Sequence, residues 1–323
     1  MTQRLTIPLR GPGGEPVDLA RTLASHGLAS LPPMILDEAA RSFEVTLPVP
    51  ARAASTGRTH AKGRPRIVRV RPGPRNAVAI EIAGRAPSPA TAESIRTQVR
   101  RVLGLDEDLA PFYDAVRDDP DLAWAAAGAG RMIRSPTVFE EVVKTICTTN
   151  CAWSATVRMT TALVEHLGEP AAGAPRTGWR GRAFPSPAAM AAAGEGFYRD
   201  VVRAGYRGAY LIKLAEMVAG GSLDLEALAA MPEEELPDMK LAARLQALPG
   251  VGPYAAAHIM MLMGRHSLLV LDSWTRPTYA RLTGKKKVSD VTIERRFRRY
   301  GRYRGLAFWL FLTREWVTDE GAG

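Results

Sequence analysis

The segment Leu245-x-x-Leu248-Pro249-Gly250-Val251-Gly252-Pro253-Tyr254-Ala255-Ala256 constrains this chain more than any other. One apolar helical pattern stops at two glycines two apart, and the next starts at Pro253. Proline suits the first position of a helix, where its missing N–H is no loss. Glycine supplies backbone freedom and leaves neighbouring N–H groups uncovered by side chains. The spacing therefore predicts two helices joined by a tight hairpin, with main-chain N–H groups gathered at a helix start. Such a place attracts anions through its geometry and its dipole. A phosphodiester held there is gripped without its base being read. An ordinary turn between helices uses the same residues as punctuation, so the hairpin alone leaves both readings open.

The charge balance points toward the first. Lys and Arg outnumber Asp and Glu by 43 to 33, a formal charge of +10, which favours polyanionic partners, with nucleic acid ahead of a membrane surface. A chain of 323 residues, 46% hydrophobic, suffices for one large or two ordinary domains with a real core. Cys147 and Cys151 are the only cysteines, too few for a four-thiolate zinc or iron–sulfur site, and their spacing suits a disulfide poorly. Two thiols and no apolar leader after Met1 lead to the expectation of a reducing, cytoplasmic home, nucleoid-associated in a bacterium. No run approaches the ~18–20 apolar residues that span a bilayer, so no membrane partner is expected.

Two regimes follow one another along the chain. Residues 5–9, 42–47, 67–70 and 77–82 alternate as half-buried strands do, with Gly and Pro clusters between them. Asp18 is placed to cap a helix running to Leu28, and the basic stretch 52–66 reads as a loop. From Pro89 the pattern turns helical, with helices predicted over 91–103, 109–118, 187–193, 198–203, 209–219, 223–230, 241–247, 253–263, 274–282 and 306–318. Thr137 and Glu140 form a capping box opening a helix whose Phe139, Val142, Val143 and Ile146 share a face. The fold class expected is α+β: an N-terminal antiparallel β-sheet domain over 1–104, then an all-helical helix-hairpin-helix domain over 105–323.

A second motif lies beyond the hairpin. The run Leu268-Leu269-Val270-Leu271 delivers Asp272, 18 residues after Tyr254, just before a new helix pattern at Ser273-Trp274-Thr275. Aspartate at a helix start is an ordinary N-cap. It is also a carboxylate of the kind that, in a cleft, stabilises positive charge on a sugar whose base departs. Capping would fix its orientation, so the two roles are compatible.

With these two motifs in hand, the sequence resembles the helix-hairpin-helix DNA glycosylases with a Gly-Pro-Asp signature, in their 3-methyladenine and 8-oxoguanine branch. Further stretches carry the likeness: Arg101 to Leu109 with Pro111-Phe112-Tyr113, Thr145 to Asn150, Phe184-Pro185-Ser186, and Gly205-Tyr206-Arg207-Gly208-Ala209-Tyr210. The resemblance spans roughly residues 5 to 318. It implies a monomeric base-excision enzyme acting on duplex DNA that contains a damaged base. It implies Asp272 as the catalytic carboxylate and Leu248, Gly250, Val251 and Gly252 as the phosphate-holding hairpin. Asn150 would fill the hole left by the flipped base, Tyr206 would wedge into the duplex, and Arg207 would face the orphaned partner base. Tyr254, Trp153 and Trp274 would line the base pocket; Trp309 is a further candidate. No cofactor is required and no iron–sulfur cluster or metal site is expected, though relatives hold a monovalent cation on hairpin carbonyls. His258 and His266 have no metal-like partners and read as structural.

One departure from the 8-oxoguanine pattern matters most. Members that also nick the backbone carry a lysine two positions after the second hairpin glycine, whose amine attacks the sugar. Here that position is Tyr254. A phenol forms no imine, so the expectation is a monofunctional enzyme for a damaged purine, with alkylated bases favoured. Two alternatives stand beside it: an 8-oxoguanine-type enzyme acting opposite cytosine, and a non-catalytic lesion-binding homologue.

Overall fold

A computed structural model describes residues 3–49 and 63–317. The basic stretch expected at 52–66 falls outside the described residues as far as 62, and Arg66 opens a strand. Packing gathers the chain into two compact units, each assembled from separate stretches. The first comprises Met1–Leu9, Gly27–Val102 and Arg134–Glu226; the second comprises Arg10–His26, Leu103–Ile133 and Ala227–Gly323. A division at residue 104 separates strand-rich from helix-rich sequence, whereas the units follow contacts and cut across it. None of the described helices is long and apolar enough to cross a membrane.

The first unit holds a five-stranded antiparallel sheet: β1 (Gln3–Pro8), β2 (Ile35–Asp37), β3 (Ser42–Leu47), β4 (Arg66–Gly73) and β5 (Ala77–Ile82), in the order β1-β5-β4-β3-β2. Alternation sets its faces. Phe43, Val45, Val68, Val70, Ile80 and Ile82 are buried, while Glu44 pairs across the sheet with Arg69 at 2.9 Å. A one-residue slip would exchange those faces, so the register is fixed by burial. Strand β2 was not foreseen, because three residues are too few to show a period.

Helices complete this unit. Pro89–Val102 buries Ile95, Val99 and Val102. In Val138–Thr148 the Thr137 side chain accepts from the Glu140 N–H as the capping box requires, but Glu140 turns inward and pairs with Lys144 at 2.6 Å. Trp153–Leu167, absent from the sequence reading, is a 15-residue helix. No side chain caps its start, and its buried face includes Thr156 and Thr160. Both usual signals are therefore blunted. Arg207–Ala219 packs closely through Gly208, where an added Cβ would lie 3.1 Å from that of Tyr198.

The second unit is helical. It includes Leu19–Leu23, Ala110–Val116, Asp238–Gln246, Pro253–Leu262, Thr275–Leu282, Asp290–Phe297 and Arg304–Thr313. Asp18 caps the first of these through the Arg21 N–H, as expected, although the helix stops at Leu23. At the centre of the unit the fully buried Arg131 pairs with Glu15 at 2.5 Å and donates to the carbonyl of Glu107 at 2.7 Å. Removing either partner would leave an uncompensated charge in the interior, a loss of about 3–5 kcal/mol.

Candidate active site and nucleic-acid interface

In the second unit the hairpin forms as its residues dictate. Asp238–Gln246 and Pro253–Leu262 pack against each other, with Pro253 in the first turn of the second helix. Gly250 has φ +78°, a conformation that a side chain strains. Gly252 lies at φ −91° and ψ −175°, so it serves differently from Gly250. A Cβ there would meet nothing within 4 Å, and its absence keeps the approach to the helix start open. No side chain caps Pro253–Leu262, which leaves its N-terminus to an outside partner. Leu248 and Val251 are buried, and the Val251 N–H donates to the Leu248 carbonyl at 3.2 Å. These two residues anchor the turn, so any phosphate contact belongs to main chain.

Tyr254 follows in the first turn, half-buried, its ring stacked on His258 at 6.2 Å. His258 meets His26 edge-on at 5.8 Å, and burial, with His26 beside it, pushes its pKa down from 6.5 to about 3. His258 is thus a neutral ring that backs Tyr254. His266 pairs with Glu107.

Asp272 sits before Thr275–Leu282 in a reciprocal cap. Its Oδ1 accepts the N–H groups of Trp274 at 2.8 Å and Thr275 at 2.6 Å, and its own N–H donates to Thr275 Oγ1 at 2.8 Å. Thr275 is fully buried, so this bracket has little freedom. Among the described residues Oδ2 carries no hydrogen bond. The result is a carboxylate fixed by one oxygen with the other available, held by main-chain N–H groups with the Arg276 guanidinium near enough to feel its charge. Sequence reasoning placed Asp272 but missed Thr275, although the Asp-x-x-Thr spacing was the readable signal.

The segment leading to Asp272 is held from the C-terminal helix. Gly305 N–H donates to the His266 carbonyl at 2.7 Å, and Arg304 donates to the Ser267 carbonyl. A Cβ on Gly305 would lie 2.1 Å from the Leu268 carbonyl, so only glycine allows this approach. Trp274, whose N–H caps on Asp272, packs its ring against Trp309 at 5.7 Å and Trp316 at 5.5 Å. Trp309 is anchored by its indole N–H on the Ser25 carbonyl, while Trp274 and Trp316 remain partly exposed. Trp316 went unnoticed in the sequence because nothing local links it to Trp274.

The first unit gathers a different set. Val138–Thr148 ends at Thr149, and Asn150 follows with φ +46°, a left-handed position that asparagine tolerates. Its side-chain amide donates to the Tyr206 hydroxyl at 3.4 Å. Tyr206 is 55% exposed, with Tyr210 edge-on to it at 5.9 Å. Arg207 is 7% exposed, and turned inward where the resemblance implied an outward guanidinium. Its Nε donates to the Thr149 carbonyl at 3.0 Å, Nη2 reaches the same oxygen, and its guanidinium carbon lies 4.5 Å from the Tyr206 ring centroid. The carbonyl end of a helix attracts a cation, which accounts for the inward turn. Trp153 also belongs to this unit, 45% exposed at the start of Trp153–Leu167 beside Gly27.

Cys147 and Cys151 are both free thiols. Burial pushes the Cys147 thiol up to about 12. Among the described residues no group of three or more His, Cys, Asp or Glu is gathered for a metal.

No family model matches this chain, and no curated protein matches its sequence. Solved structures do match its fold. The 3-methyladenine DNA glycosylase from Archaeoglobus fulgidus aligns with a TM-score of 0.68 at 20% identity, over 97% of this chain and 100% of that one. The 8-oxoguanine glycosylase/lyase of Clostridium acetobutylicum aligns in its apo form with a TM-score of 0.68 at 19% identity, over 97% of this chain and 98% of that one. Its complex with double-stranded DNA containing cytosine opposite 8-oxoguanine aligns equally, at 0.68 and 19%, over 98% of each chain. The chain thus has the fold of the helix-hairpin-helix DNA glycosylases.

Proposed function

We propose that this protein is a monofunctional DNA glycosylase of base-excision repair. In this reading it extrudes a damaged purine, alkylated bases being favoured, from duplex DNA and hydrolyses the N-glycosidic bond. One observation carries the reading: the half-engaged carboxylate of Asp272, capped by two N–H groups on one oxygen, in the unit that also bears the uncapped hairpin helix. The fold shared with 3-methyladenine and 8-oxoguanine glycosylases supports it.

The chemistry follows from the residues. Main-chain N–H groups of Gly250 and Gly252, in the turn that Val251 closes on Leu248, hold a phosphate, and the net charge of +10 supplies general attraction to duplex DNA. As the C1′–N bond breaks, its electrons leave with the base and positive charge grows on the sugar. Asp272 Oδ2 faces that charge, where fixed electrostatic stabilisation is a large share of catalysis. Water adds to C1′, its proton is lost, the base is released and an abasic site remains. Tyr254, standing where a lysine would form a Schiff base, makes no covalent bond to the sugar. Tyr254 and Trp274 present aromatic faces that suit a cationic alkylated purine by cation–π attraction. The hairpin offers main-chain carbonyls and no carboxylate, a donor set fitting a singly charged hard cation better than a transition metal. No cofactor enters the reaction, and the protein acts as a monomer in the cytoplasm.

The test is a panel of duplexes, each with one defined lesion, scored for base release with and without alkali. Release of an alkylated purine with strand cleavage only after alkali is expected. Cleavage without alkali, or a protein–DNA adduct trapped by borohydride, overturns the monofunctional reading. No release from any lesion overturns the enzyme.

A further inference from the structure

Tyr206 and Asn150 are contributed by segments 56 residues apart in sequence, yet they meet at the surface of the first unit. Between and beneath them lies Arg207. Its guanidinium takes the Thr149 carbonyl, the last group before Asn150, through two nitrogens, and a third nitrogen reaches the Ala204 carbonyl at 3.4 Å. The same guanidinium lies under the Tyr206 ring. Reading a base requires a bidentate fork presented to its edge in a groove. Here the fork is turned to main chain, and the side chain is buried. In these two segments Asn150, Tyr206 and Tyr210 are exposed, and Arg203 is exposed on the turn that precedes Gly205. An aromatic face stacks on every base alike.

We propose that Arg207 is a positioning residue, tying the Asn150 turn to Tyr206, and that the protein accepts any of the four bases opposite the lesion. The proposal rests on the glycosylase reading and adds to it the pairing context of the substrate. It also agrees with that reading's chemistry. An alkylated purine is recognisable by its own charge, whereas a lesion that mispairs must be judged by its partner.

Binding to duplexes with a single tetrahydrofuran abasic analogue opposite A, C, G or T tests this without catalysis. The full chain should bind all four with affinities within about threefold of one another, whereas a bidentate reader discriminates by roughly tenfold or more. Arg207→Ala should weaken all four by a similar factor and leave their ratios unchanged. In a Tyr206→Ala background the same change should have little further effect, because Arg207 acts through Tyr206; a merely structural role would add its loss in either background. A marked preference of the unaltered protein for one opposite base overturns the proposal, whether or not Arg207→Ala folds. A preference that Arg207→Ala erases identifies that arginine as the reader. Abasic duplexes bound no tighter than intact duplex overturn the glycosylase reading, and this inference with it.

Discussion

Around Asn150 and Tyr206 the accessible side chains include an amide and aromatic rings, and the Arg207 guanidinium is buried against a main-chain carbonyl. Around Asp272 the accessible groups are a carboxylate, held by main chain and a buried threonine, and the partly exposed rings of Trp274 and Trp316. Both units therefore present stacking surface, and the second adds a fixed carboxylate. Extrusion of a base needs a stacking replacement that offsets a few kcal/mol of unpairing, while bond cleavage needs fixed charge at one atom. Under the proposed function the two demands fall on different compact units, and mutations in each should fail differently.

The largest separation is expected from Asp272→Asn. The amide keeps an oxygen for the two N–H caps but loses the charge, so base release should fall by about 10²–10³. Duplex binding should stay nearly unchanged in the same variant. Single-turnover release and anisotropy on one lesion duplex check the pair; wild-type release would break the assignment of chemistry to the second unit.

Tyr206→Ala should act on the other side of the comparison. An aromatic stack contributes about 1–3 kcal/mol, so release of a paired lesion should slow roughly 10- to 100-fold. Release from a single strand, where nothing has to be unstacked, should change little. Equal losses on both substrates would show that Tyr206 serves the chemistry instead.

The smallest effect concerns pH, and the units should respond with opposite sign. His258 in the second unit is held at about 3 against an ordinary 6.5. Its folded form resists a proton that the unfolded chain accepts, so stability present above 6.5 is lost as pH falls toward 3. In the first unit burial raises Glu141 from 4.5 to about 7. That folded form gains the proton more readily, so the contribution is full below 4.5 and fades as pH rises through 7. Lowering pH from 7 to 5 should reduce protection against hydrogen exchange, corrected for the intrinsic slowing of amide exchange in acid, in the second unit and not in the first. His258→Leu should flatten that response.

Legibility in the sequence followed the range of each interaction. The hairpin, the Asp18 and Thr137 caps and the carboxylate at Asp272 depend on neighbours within a few residues, and each was readable from spacing. The four longer strands were readable because one face of the sheet is buried. Trp153–Leu167 escaped because Ala152 offers no cap and threonines interrupt its apolar face. The inward turn of Arg207 depends on a carbonyl 58 residues earlier, and the grouping of Trp274 with Trp316 on packing between helices. Side-chain direction set by distant partners leaves no local mark.

The interleaving of the two units has a consequence for how the protein comes into being. Every stretch of the first unit lies at or before Glu226, whereas the second cannot be completed without Ala227–Gly323. Chains grow from the N-terminus at about 5–20 residues per second, and compact units fold as they become complete. The stacking surface therefore exists on the ribosome before the carboxylate does, by roughly 5–20 s at those rates. During that interval Arg10–His26 and Leu103–Ile133, which pair with each other through Glu15 and Arg131, still lack the partners that Ala227–Gly323 supplies. Slow translation of the last third of the message should lengthen that interval.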